Sequence, residues 1–151
     1  MGPETIIIKV KKGIKAGVLD NTWMNKRLEG IPHMLLNFLS GITAHGWGNG
    51  YIMLPKDHPW YIWITSNPEK TPGNRYTNAY RLNVDIHGGI TYGDYDENNN
   101  YWIGFDTLHT RDNMETWPRE KVEEATLLLF SQALDAYNNP HNRSFDPDYH
   151  E

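Results

Sequence analysis

Apolar and polar positions alternate most regularly from Ala79 to Ile86 (AYRLNVDI), where Tyr80, Leu82, Val84 and Ile86 interleave with Arg81, Asn83 and Asp85. This period of two predicts a half-buried strand. Thr5 to Val10 (TIIIKV) is short and β-branched and predicts a second, with Lys9, Lys11 and Lys12 as a solvated edge. Tyr51 to Leu54 (YIML), stopped by Pro55, predicts a third, with Ile62 to Ile64 a short continuation after the loop Lys56–Tyr61. Tyr101 to Phe105 reads as a return strand after the polar hairpin loop Gly93–Asn100.

Beyond Trp117 the period changes. Val122, Ala125, Leu129, Ala133 and Leu134 share one face of a helix running from Pro118 to about Tyr137. Pro118 suits the first turn, Glu120 the positive end of the dipole, and Asn138-Asn139-Pro140 a stop. Elsewhere the pattern is weaker. Thr22 is a candidate cap for a short helix ending at Gly30, and His33–Leu39 (HMLLNFL) fits helix or strand equally. Gly41–Gly50 reads as a glycine-rich turn and Ser66–Asn78 as an exposed connection. The tail from His141 has little to bury and is expected to be loose. Together these predict an α+β fold: a mainly antiparallel sheet of about four to six strands, with the C-terminal amphipathic helix packed on one face. Residues 1–151 read as a single domain, with no repeat or heptad run.

Composition narrows the function classes. The 151 residues carry a formal charge of −5, against a broad electrostatic grip on nucleic acid, though a local basic pocket for a small anion is compatible. With 13% aromatic residues and six Trp the chain is not globally disordered, despite a mean hydropathy of −0.68. The absence of cysteine excludes disulfides and thiolate metal sites. No apolar run suggests a signal peptide or a membrane span, so the expectation is a soluble intracellular protein.

The chemistry gathers between Val84 and Asp112. Two predicted strands lead to a His87-Gly88-Gly89 turn and to Asp106, His109 and Asp112, so ionisable groups collect at strand ends. For His87 the alternatives are a turn histidine bonded to backbone or a ligand-facing imidazole beside glycines that let an anion approach. Asp106 and His109 read as a carboxylate orienting an imidazole, as ligands of zinc or a hard metal, or as a turn cap with no role in chemistry. Without an H-E-x-x-H or H-x-H pair the metal reading is the weaker, so no cofactor is assigned. Trp47, Tyr51, Trp60, Tyr61 and Trp102 flank these blocks; most belong in the core, and one or two are candidates to stack on a flat ring. No Walker loop, dinucleotide fingerprint or nucleophile elbow is present.

Three blocks carry a resemblance: Gly46-Trp47-Gly48-Asn49-Gly50-Tyr51-Ile52 with Pro55, His58 and Pro59; Asp85-Ile86-His87-Gly88-Gly89-Ile90-Thr91-Tyr92; and Gly104-Phe105-Asp106-Thr107-Leu108-His109. In this order and spacing they resemble a family of small, largely uncharacterised bacteriophage and prophage proteins, over about Ala44 to Tyr137. The resemblance implies a phage origin, the cytoplasm of an infected or lysogenic bacterium, and a common site of His58, His87, Asp106 and His109. It implies no catalytic roles.

Two functions compete. One is a phage accessory protein that binds a small polar, nucleotide-derived ligand, such as a host immune signal, through Trp47, Tyr51, His58, His87, Gly88, Gly89, Thr91, Asp106 and His109; a homo-oligomer would suit it. The other is a hydrolase or phosphoesterase acting on the same ligand class with His87, Asp106 and His109 as acid–base groups. A structural or host-protein interaction module is the remaining alternative.

Overall fold

The protein was analysed as a computed structural model, which describes residues 3–21, 45–66 and 77–149. The expectations for Thr22–Gly30, for His33–Leu39 and for most of Ser66–Asn78 lie outside these residues. Five antiparallel strands form one sheet in the order β1-β2-β3-β5-β4: β1 Ile6–Lys11, β2 Ile14–Asp20, β3 Gly48–Leu54, β4 Tyr92–Tyr95 and β5 Tyr101–Phe105. Three helices complete the described elements: α1 Pro59–Ser66, α2 Thr77–Arg81 and α3 Arg119–Asn138. Helix α3 packs on β2 and β3, so the α+β architecture holds.

Strand alternation sets the core. Ile14, Ala16 and Val18 of β2, Ile52 and Leu54 of β3, and Tyr101, Ile103 and Phe105 of β5 point toward α3 and are buried with its Val122, Leu129, Phe130 and Ala133. The alternate residues Tyr51, Met53 and Trp102 form a second buried cluster on the opposite face. Gly50 brings sheet and helix together: a Cβ there would lie 2.1 Å from Thr126 Oγ1 and 2.3 Å from the Phe105 ring.

The β1–β2 hairpin was hidden in the sequence. Its two-residue loop, Lys12-Gly13, has φ of 53° and 80° between the paired Lys11 and Ile14. That is the positive-φ turn that suits the twist of a hairpin, but Lys stands where Asn or Asp usually announces it.

Two predicted strands are corrected. Ile62–Ile64 lies within helix α1. Pro59 occupies its first position, and His58 Nδ1 accepts a hydrogen bond from Trp60 N at 2.9 Å, capping the end. Trp60, Trp63 and Ile64 then fall at helical spacing and are buried. Ala79–Ile86 is also not a strand. Ala79 to Arg81 belong to α2, and the residues after it run without a sheet partner. Their backbone groups bond elsewhere: Asn83 N to Phe145 O at 2.8 Å, Asp85 N to Gln132 Oε1 at 2.8 Å, and Gln132 Nε2 to Asp85 O at 2.7 Å. Alternation there reflects a segment held by hydrogen bonds to α3 and to the C-terminal residues, with Val84 N turned back to Leu82 O at 3.1 Å. The tail is corrected too, since Phe145 is 7% exposed and joins the main core.

Candidate functional site

Where β5 ends, the chain makes a tight loop from Asp106 to Asp112. Asp106 Oδ1 accepts from Leu108 N at 3.1 Å, and Asp112 Oδ2 accepts from His109 N at 2.9 Å. Both are local carboxylate-to-backbone bonds that close turns. Thr107, fully buried, anchors the loop by donating to Gly48 O at 2.6 Å. Facing it is the turn at Gly88 and Gly89, with φ of 69° and 76° and Gly89 N bonded to Ile86 O at 3.0 Å.

Two histidine–aspartate pairs meet between these loops. His87 Nε2 lies 3.0 and 3.1 Å from the two oxygens of Asp112, and that carboxylate is only 5% exposed. His109 Nε2 lies 3.0 Å from Asp106 Oδ1. The second contact is close but poorly aligned, and buried His109 Nε2 makes no hydrogen bond. The imidazole rings pack edge to face with centroids 5.4 Å apart. On its other side His87 lies against Trp117, centroids 4.2 Å apart and planes 32° apart.

Both imidazoles therefore turn Nε2 inward, leaving Nδ1 without a hydrogen-bond partner among the described residues. Their side chains are 30% and 37% exposed. Gly88 is required by this packing, since a Cβ there would sit 2.2 Å from His109 Nε2. Gly89 opens outward, with nothing within 4 Å of the corresponding point. A carboxylate hydrogen-bonded behind an imidazole, as Asp112 is behind His87, fixes its tautomer and orientation and stabilises the protonated ring, so that pair can hold an anion or move a proton.

The structure brings together His87, Gly88, Asp106 and His109 from the expected set, with Gly89 beside them. Four others stand apart. His58 is fully buried; its Nε2 donates to Ala133 O at 2.7 Å while Nδ1 accepts from Trp60 N. Ala133 is roughly 22 Å along α3 from Pro118, taking 1.5 Å per residue. Burial pushes the His58 imidazole down to about 4, keeping it neutral, so its role is to join α1 to α3. Tyr51 belongs to the buried cluster on the face of the sheet opposite α3, where burial raises its phenol and the charge of nearby Asp106 raises it further, so it neighbours the site without contacting either imidazole. Thr91 is used through its backbone, N to Gly104 O and O from Tyr80 Oη. Trp47 sits next to Trp117 through its amide, Trp47 N to Trp117 O at 2.8 Å, and its ring faces Arg119 at 5.2 Å.

Sequence reasoning missed two participants. Asp112 stands in the same stretch as Asp106 and His109, but its match to His87 joins loops 25 residues apart, which no local spacing reveals. Trp117 was read only as the prelude to the helix. Among the described residues no group of three or more His, Cys, Asp or Glu is arranged to hold a metal ion. Two surface clefts among the described residues are lined by other residues: one of about 150 Å³ between Asn83, Gln132, Asn139 and Phe145, another of about 360 Å³ between Ile62, Trp63, Pro140 and Arg143. No helix among the described residues is long and apolar enough to cross a membrane.

No family model, no curated protein and no solved structure matches the chain.

Proposed function

We propose that the protein captures a small anionic, nucleotide-derived ligand on the face formed by His87, His109 and the Gly88-Gly89 turn, as an accessory protein of a phage or prophage. The observation that carries this reading is the pair of partly exposed imidazoles, His87 hydrogen-bonded from behind by Asp112 and His109 beside Asp106, each with Nδ1 unengaged among the described residues. Two such nitrogens, protonated by contact with an anion, donate charge-assisted hydrogen bonds to phosphate oxygens. The open ground in front of Gly89 admits a ligand to the backbone. Host immune nucleotides are a ligand class suited to a phage protein, and the resemblance is what suggests them.

The same pairs favour a second reading, phosphoester hydrolysis. One imidazole would take a proton from water as the other gives a proton to the departing oxygen, with Asp112 steadying His87. Thermal shift against nucleotides, cyclic nucleotides and ADP-ribose derivatives, with and without zinc or magnesium, tests both. A stabilising compound recovered intact by chromatography supports capture; one recovered cleaved supports hydrolysis. If no compound raises the melting temperature, both readings fall and a structural or protein-interaction role stands in their place.

A further inference from the structure

Strand β1 lies at one end of the sheet and pairs with β2 on one side only. Its outer row of backbone N–H and C=O groups faces no strand among the described residues. It is also apolar where it is most open: Ile6, Ile7 and Val10 are 50%, 44% and 56% exposed. Its register puts Ile6, opposite Val18, on the α3 side of the sheet and Ile7 and Val10, opposite Gly17 and Lys15, on the other. A strand added outside β1 would thus find apolar contacts on both faces.

The charge on the hairpin is mostly positive, with Lys9 Nζ over the Phe130 ring at 5.3 Å and Lys12 Nζ donating to Asn138 Oδ1 at 2.6 Å. Lys9, Lys11, Lys12 and Lys15 fall within the β1–β2 hairpin, whose acidic residues among 3–20 are Glu4 and Asp20 at its far end. The chain as a whole carries −5, so this local excess runs against the average. Lysine on an edge and the irregularity between Ile7 and Lys9 both discourage pairing with a second copy. Antiparallel self-pairing centred on Ile8 and Lys9 would set the two Lys9 side chains on the same side in neighbouring positions, where like charges repel. The same lysines attract a strand of opposite charge.

We propose that the outer edge of β1 receives an extended acidic peptide segment of another protein as a sixth strand. Main-chain hydrogen bonds supply the pairing, Ile6, Ile7 and Val10 the apolar contacts, and Lys9 and Lys11 the sign selection. This surface is independent of the histidine site.

Fluorescence polarisation of a labelled peptide of alternating Glu and Val, against its Lys-Val counterpart, tests the proposal on the full chain. The acidic peptide is expected to bind at least about tenfold more tightly, and to weaken as salt rises. N-methylation of alternate amides in the peptide should abolish binding, because the ladder is lost. K9E/K11E should reverse the preference while circular dichroism confirms an unchanged fold. Equal or absent binding of the two peptides, binding that survives N-methylation, or a dimer of the chain that excludes the peptide would each overturn it.

Discussion

His87 and His58 look alike in the sequence, each followed by turn-forming residues, yet their surroundings give them opposite roles. His58 has both ring nitrogens engaged and no exposed surface. Its imidazole is lowered to about 4 from 6.5, so above pH 6.5 it is neutral in both folded and unfolded chains and its contribution is fully present. As pH falls through that window the unfolded chain takes up the proton first. Stability should therefore drop by about 3 kcal/mol between pH 6.5 and 4, from a shift of roughly 2.5 units at 1.36 kcal/mol each. Urea denaturation across this range checks the prediction, and His58→Gln should flatten the histidine component. An equally steep fall in the variant would assign the acid sensitivity to other groups.

Asp112 sets a second prediction at this scale. Its nearly buried carboxylate is bonded to His87 and to the His109 amide. His87→Ala leaves the carboxylate half-satisfied and should cost about 1–3 kcal/mol of stability. His109→Ala removes no aligned side-chain hydrogen bond and should cost less. Melting curves of the two variants separate these outcomes; the reverse order would mean that the Asp106 contact is the stronger.

At the scale of elements, three strands and the long helix were legible because their signals are local, whereas β2 and β4 were not, β4 overlapping the stretch Gly93–Asn100 that reads as a loop. β3, β5 and α3 announce themselves by β-branched or aromatic runs, by Pro55, and by helical spacing between Pro118 and Pro140. Two failures have physical causes. Helix α1 is aromatic and β-branched throughout, and is helical because His58 caps it and Trp60 and Trp63 need burial on one side. Residues 82–86 alternate like a strand because Leu82 packs inward while Asn83 and Asp85 reach the C-terminal residues and Gln132. Contacts so distant in sequence leave no periodic mark. The helix–sheet contact can be tested at Gly50, where Ala would press on Thr126 and Phe105. With both neighbours in the packed core, Gly50→Ala should cost about 1–3 kcal/mol in urea denaturation. An unchanged midpoint would show that α3 can move away from β3.

For the whole molecule, the fold places its histidine site at one end of the sheet, where the loop after β5, the glycine turn before β4 and the residue preceding α3 converge. Half of this was readable: the sequence concentrates His87, Gly88, Asp106 and His109 in two short blocks. The rest required the third dimension. Asp112 had to fold back to His87, Trp117 had to arrive from the head of α3, and His58 and Tyr51 had to be carried into other parts of the core.

The most direct test of ligand capture compares wild-type protein with His109→Ala against whichever nucleotide-derived compound stabilises the wild type. The account predicts that His109→Ala, without ligand, melts within about 2–4 °C of wild type and loses most of the ligand-induced rise. A variant that keeps the full rise would place binding elsewhere and contradict the assignment of the His87–His109 face.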